Sequence, residues 1–194
     1  LRNDLSPLTW EVRTALEWVR DHVLTGAPGS ISCADRKTYF LFLDGACSEP
    51  SSSDECSGVS IGAVLADGHG KLLHYFGHVV DPAIVKTWGR ADQIQHVFEA
   101  EVLPYSVCLW VWRRILEHAC VFVFIDNEAA KACWIAGFAQ SLTARRVIHN
   151  GTVREAAIDL HPFFSRVPTH SNLADDPSRG RFNELERLGA RRTN

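Results

Sequence analysis

Apolar residues first recur at helical spacing: Leu8, Val12, Ala15, Leu16, Val19 and Val23 predict an amphipathic helix over 7–24. Ser6 is a suitable cap for it, and Pro7 suits its first position. The stretch Thr25-Gly26-Ala27-Pro28-Gly29-Ser30 then breaks the pattern. From Thr38 the period shortens. The runs 38–44, 59–66 and 71–80 read as strands, the last two joined by the hairpin signal Asp67-Gly68-His69-Gly70. Between the first two lies a polar loop, Ser48 to Glu55. Helical spacing returns over 93–117, with Ile94, Phe98, Tyr105 and Trp112 on one face. A fourth strand follows at 120–125, then a short helix from Asn127 to Ala136 and a longer one over 141–160 capped by Ser141. Phe163 to Val167 reads as a fifth strand stopped by Pro168, and a last helix is expected over 174–189.

A meander of three strands, followed by strands alternating with helices, predicts an α/β domain. Its five-stranded mixed sheet would join the meander to two parallel strands and carry helices on both faces. The expected division is a helix and linker over 1–37, the tail of a preceding region, and one domain over 38–194.

Into this frame fall four acidic residues. Asp44 ends the apolar run Tyr39 to Leu43, and Asp126 ends the run Val121 to Ile125. A carboxylate at the end of a buried strand is costly unless it is paired, solvated or bound to a metal. If the two strands are parallel neighbours, the carboxylates converge, and a divalent cation is the simplest shared partner. Glu101 lies on the apolar stripe of the helix over 93–117, and Asp175 opens the last helix. Each position has an ordinary alternative. Asp44 before Gly45 could form a turn, and Asp126 before Asn127 could cap a helix. Glu99 rivals Glu101 but points about 200° around the helix, and Asp176 rivals Asp175. Pro104, within the same helix, is expected to kink or start it.

Composition narrows the classes. The chain has 194 residues, 46% of them hydrophobic and 22% charged, the balance of a globular domain rather than a disordered one. No apolar stretch reaches the ~18 residues of a membrane span, and no signal peptide opens the chain, so an intracellular protein with no membrane partner is expected. Methionine is absent, so a segment of a longer protein is expected. A net charge of -3 does not mark the whole surface as binding nucleic acid. The six cysteines form no C-x-x-C pair, which argues against zinc and for reduced, mostly buried thiols. A Cys47–Cys56 pair across the loop remains open.

The motifs together resemble a known family. Tyr39 to Gly45, ending in Leu-Asp-Gly, resembles the first strand of ribonuclease H-like domains, and Gly58 to Leu65 their second. Asp126-Asn127-Glu128-Ala129-Ala130 resembles their fourth-strand motif. The stretch from Val167 through Ser171-Asn172-Leu173-Ala174-Asp175-Asp176-Pro177-Ser178 to Arg179 resembles the final motif of the ribonuclease H domains of retroelement reverse transcriptases, tyrosine-recombinase (DIRS-like) retrotransposons in particular. The helix over 7–24 and Pro28 resemble the segment that joins the polymerase to that domain.

The resemblance implies a ribonuclease H-like fold and a Mg²⁺-dependent endoribonuclease that hydrolyses the RNA strand of RNA–DNA hybrids. It implies metal ligands at Asp44, Glu101, Asp126 and Asp175, for two Mg²⁺ ions that Mn²⁺ can replace. His170, in the loop before the last carboxylate, would match the family's mobile histidine. The partners implied are an RNA–DNA hybrid and the polymerase portion of the same polypeptide. The alternative is an inactive domain of this fold kept as a nucleic-acid or protein binding scaffold. A related 3′–5′ exonuclease is disfavoured, since those usually carry Glu two residues after the first Asp, where this chain has Ala46. Trp110-Val111-Trp112-Arg113-Arg114 could resemble a substrate-gripping element, or could be core plus helix surface.

Overall fold

The computed structural model describes residues 10–25, 35–47, 58–88 and 96–193. The chain divides into two compact units, Leu1–Ser32 and Cys33–Asn194. In the first, helix α1 runs Trp10–Thr25, with Trp10, Leu16, Val19 and Leu24 exposed. Its expected cap, Ser6, and Pro7 lie outside the described residues, as does the loop Ser48–Glu55. No described helix is long and apolar enough to cross a membrane.

The second unit is built on β1 (Thr38–Cys47). It pairs antiparallel with β2 (Val59–Asp67) and parallel with β4 (Cys120–Ile125). Outside these, β3 (Leu72–Val79) is antiparallel to β2, and β5 (His161–Arg166) is parallel to β4. A sixth strand, β6 (Arg191–Arg192), adds to the five expected and runs parallel to β3 at the far edge. The order is β5-β4-β1-β2-β3-β6. In the hairpin turn, Asp67 Oδ1 accepts from His69 N at 2.9 Å and Lys71 N at 3.0 Å, and Gly70 supplies a φ of 81°. Strand β5 begins at His161, two residues before the expected start. Pro162 is tolerated there because an edge strand leaves one row of N–H groups unused.

Alternation of side chains sorts the two faces. Leu41, Leu43, Val121, Val123 and Ile125 are fully buried against a layer of helices. These are α3 (Val97–Val111), α5 (Glu128–Ala136) and α6 (Leu142–Ala157). The intervening positions of β1 and β4 are phenylalanines whose rings stack across strands, Phe42 on Phe124 at 4.8 Å and Phe40 near Phe122 at 5.8 Å. On that second face, α7 (Asp175–Ser178) and α8 (Asn183–Arg187) cover β2 and β3, with Leu185 buried beside Val64 and Tyr75. A one-turn helix, α2 (Pro82–Val85), follows the meander.

Two expected helices are shorter than their patterns. The one over 93–117 ends at Val111, and α4 (Arg113–Leu116) follows. Buried Trp112 takes φ −108°, ψ 19° between them, turning the chain toward β4. Residues 93–95 lie outside the described residues. The one over 174–189 is broken into α7 and α8 by Gly180, whose φ of 73° is left-handed. Pro104 neither starts α3 nor ends it, but sits in its interior and forgoes the bond to the Ala100 carbonyl. Of the cysteines, Cys47, Cys108 and Cys133 are free thiols, Cys108 fully buried, while Cys33 and Cys56 lie outside the described residues.

Candidate metal centre

The parallel register that pairs Leu43 with Ile125 brings together Asp44, beyond which β1 runs on to Cys47, and Asp126, the residue after β4, toward the C-terminal ends of two central strands. Such ends are where ligands favour an open α/β sheet. The sequence then arranges close approach from both faces. On one side, Asp44 stands in a row across the sheet with Gly62 and Gly77. Neither glycine could carry a side chain: a Cβ on Gly62 would lie 2.4 Å from Ser178 N, and one on Gly77 2.0 Å from Pro177 O. Helix α7 rests on this bare floor. From it, buried Ser178 donates a short hydrogen bond to Asp44 Oδ2. Buried Asn172 ties the preceding turn to β1, donating from Nδ2 to Leu43 O at 2.8 Å and accepting from Ala174 N at 3.2 Å.

On the other side, Gly45 lets α3 press on β1. A Cβ there would lie 2.3 Å from both the carbonyl carbon and oxygen of Ala100. That contact delivers Glu101 to the strand end, where the Gly45 backbone N–H supports its carboxylate. Asp126 is released from capping duty because Asn127 performs it, accepting from Ala130 N at 3.0 Å. The rival acid Glu99 is also buried but turns to α6, where Ser141 Oγ donates to Oε1 at 2.6 Å.

Ligand atoms of Asp44, Glu101 and Asp126 all lie within 4.8 Å of one another. This is the one such group of three or more among the described residues. Asp44 and Glu101 are buried, and Asp126 is half-buried. Glu101 Oε2 and Asp126 Oδ1 are shielded from water with no hydrogen-bond partner. Burial, followed by the Asp44 and Asp126 charges, pushes the Glu101 carboxyl up to about 8. Burial also raises Asp44, to about 6, against the pull of the Ser178 bond and with help from Asp126 and Asp175. In the metal-free protein both groups keep their protons to higher pH than an ordinary carboxyl, Glu101 past neutrality and Asp44 only in mildly acid solution. A cation that binds them must displace those protons, so its affinity rises with pH through that range. Orphaned carboxylate oxygens converging from three elements fit a hard divalent cation, and nothing in the donor set is soft.

Asp175 stands apart from this cluster. It is near enough to raise Asp44, yet its carboxylate is taken by two arginines. Arg179 donates from Nε at 3.0 Å to Oδ1, and Arg181 from Nη2 at 3.0 Å to Oδ2. Asp176 accepts from Arg181 Nε at 2.7 Å. His170 lies exposed in a 3-10 turn, Thr169–Ser171. The structure thus joins three of the five predicted site residues and leaves Asp175 and His170 outside the group. Ser178 and Asn172, both within the motif from Val167 to Arg179, are functional residues that the motif alone does not single out. The signal for Ser178 is the Gly62–Gly77 pair, which only sheet register reveals.

No family model matches the sequence, and no curated protein does. Solved structures match in shape. LC11-RNase H1, solved in complex with an RNA/DNA hybrid, superposes with a TM-score of 0.57 at 14% identity, covering 76% of this chain and 99% of that one. The N-terminal RNase H domain of rv2228c from Mycobacterium tuberculosis gives 0.53 at 13%, covering 77% and 99%. The foamy viral protease-reverse transcriptase, in complex with an RNA/DNA hybrid, gives 0.52 at 11%, covering 90% of this chain and 26% of that one. At such identities the likeness speaks for architecture: the chain has a ribonuclease H-like fold, with a buried acidic triad at the C-terminal ends of its central parallel strands.

Proposed function

We propose that this chain is a two-metal-ion endonuclease that hydrolyses the RNA strand of RNA–DNA hybrids as part of a retroelement reverse transcriptase. The observation that carries the reading is the convergence of Asp44, Glu101 and Asp126, with two buried oxygens lacking any donor. These three would hold Mg²⁺ or Mn²⁺, with Asp175 completing the set once it leaves its arginines. Such ions, when bound, activate water and stabilise the attacking and leaving oxygens of a phosphodiester. The protein's part is to fix the donors: Ser178 orients Asp44, the Gly45 amide supports Glu101, and Asn127 frees Asp126. His170, exposed in the 3-10 turn Thr169–Ser171, would assist product release. Residues 1–37 would form the joint to the polymerase portion.

The pairing of Asp175 with Arg179 and Arg181 favours a second reading, an inactive scaffold of the same fold. One gel separates the two. The full chain is incubated with hybrid, duplex DNA and duplex RNA, each strand labelled, in Mg²⁺, Mn²⁺, Ca²⁺ or EDTA. The RNA strand of the hybrid should be cut in Mg²⁺ and Mn²⁺, leaving 3′-hydroxyl and 5′-phosphate ends. It should survive in Ca²⁺, whose loose coordination positions the oxygens poorly. An intact hybrid in every lane, or cutting in EDTA, would reject the mechanism.

A further inference from the structure

A groove outside the carboxylate site has no part in that chemistry. It lies between the end of α3, α4 and the last turns of α6, with a volume of about 680 Å³. Its lining includes Trp110, Arg113, Arg114, Glu117, Asn150 and Arg154. Three guanidinium groups face one carboxylate there, on a chain whose net charge is -3. Arg113 and Arg114 are exposed and form no ion pair among the described residues. Trp110 is 59% exposed, although its neighbour Trp112 is buried against Phe76. The Arg154 guanidinium covers one face of the Trp110 ring, 3.1 Å from the centroid.

The position separates this groove from the triad. Trp110 follows Glu101 by nine residues on one helix, roughly 14 Å along its axis. Helices α4 and α6 lead into the first residues of β4 and β5, whereas Asp126 follows the last residue of β4, about 20 Å further on. The groove therefore sits at the opposite end of the sheet from the carboxylates.

We infer that this groove binds single-stranded nucleic acid, Trp110 stacking on a base while Arg113 and Arg114 hold flanking phosphates. Arg154 pins the indole from one side, which fixes its plane and leaves the other face for a base. A π-platform beside unpaired guanidinium groups is the combination that sequence-tolerant single-strand binding uses. An acidic peptide would answer the charges and leave the exposed indole unused.

The test uses the full chain in EDTA with fluorescein-labelled oligothymidylate and oligouridylate of about twelve nucleotides, within the ~4–16 that such sites span. Polyglutamate serves as the acidic-peptide probe. Wild type should bind the oligonucleotides, and Trp110→Ala should weaken binding roughly tenfold, the value of one stacked base. The double variant Arg113→Glu, Arg114→Glu should weaken it at least as much. Both variants should melt with the wild type and cut the hybrid at its rate. The inference fails if wild type does not bind, if either variant binds as tightly as wild type, or if polyglutamate displaces the strand without sensitivity to Trp110. Because binding is read without metal, an inactive triad leaves this result intact, and a failed groove leaves the cleavage gel intact.

Discussion

The Asp126→Asn variant should lose RNA-strand cleavage while keeping its fold. The change is nearly isosteric and acts on a half-buried side chain whose Oδ1 has no partner. It removes one negative charge from a group of three carboxylates and relieves the repulsion that Asp126 imposes on Asp44 and Glu101. Metal-free stability should therefore be unchanged or raised. Cleavage depends on ions that stabilise transition-state charge by several kcal/mol, so loss of a ligand should slow it by roughly 10³-fold or more. The measurement is the single-turnover rate on a labelled hybrid, beside a thermal melt in EDTA. A variant that cuts within a few-fold of wild type would show that Asp126 holds no essential ion.

Gly45→Ala should damage both stability and activity, although Gly45 contributes no side chain to the site. The new Cβ would lie 2.3 Å from the Ala100 carbonyl and 2.6 Å from Glu101 N, and both neighbours are backbone. Helix α3 must move away from β1, an overpacking cost of about 1–3 kcal/mol or more. The movement carries Glu101 with it, and a displacement near ~1 Å can slow a reaction by about 10²-fold. Gly70→Ala is the control: its φ of 81° strains alanine, but nothing lies within 4 Å of the new atom and the turn is far from the carboxylates. A denaturant melt and the cleavage rate together decide. If Gly45→Ala behaves like Gly70→Ala in both, the close approach of α3 does not position Glu101.

Much of this architecture was legible in the pattern of residues. Strands β1 and β4 announce themselves as apolar runs ended by Asp44 and Asp126, and Ser141 and Asn127 mark helix starts by cap chemistry that acts within four residues. Glu101 was separable from Glu99 because α3 is helical through Pro104, so their angular separation holds. What failed to show depends on contacts distant in sequence. The break at Trp112 follows from its burial against Phe76 and its bond to Thr193, neither of which periodicity sees. Strand β6 has two residues and exists only because the chain end returns to β3. The bond from Ser178 to Asp44 spans 134 positions. The pairing of Asp175 with Arg179 has ordinary helical i, i+4 spacing, but the pairing with Arg181 requires the tight turn at Gly180 where a continuous helix was expected.

The central claim is that Asp44, Glu101 and Asp126 form one divalent-cation site. The most direct measurement is the melting temperature of wild type and Asp44→Asn, each in EDTA and in saturating Mg²⁺ or Mn²⁺. A ligand that binds the folded state alone stabilises it by RT ln(1 + [L]/Kd), about 2.7 kcal/mol at a hundredfold excess over Kd. Wild type should therefore melt several degrees higher with metal. Asp44→Asn should equal or exceed wild type in EDTA, because one buried like charge is gone, and should gain much less from metal. Equal metal-induced shifts in the two proteins, or none in wild type, would contradict a shared site.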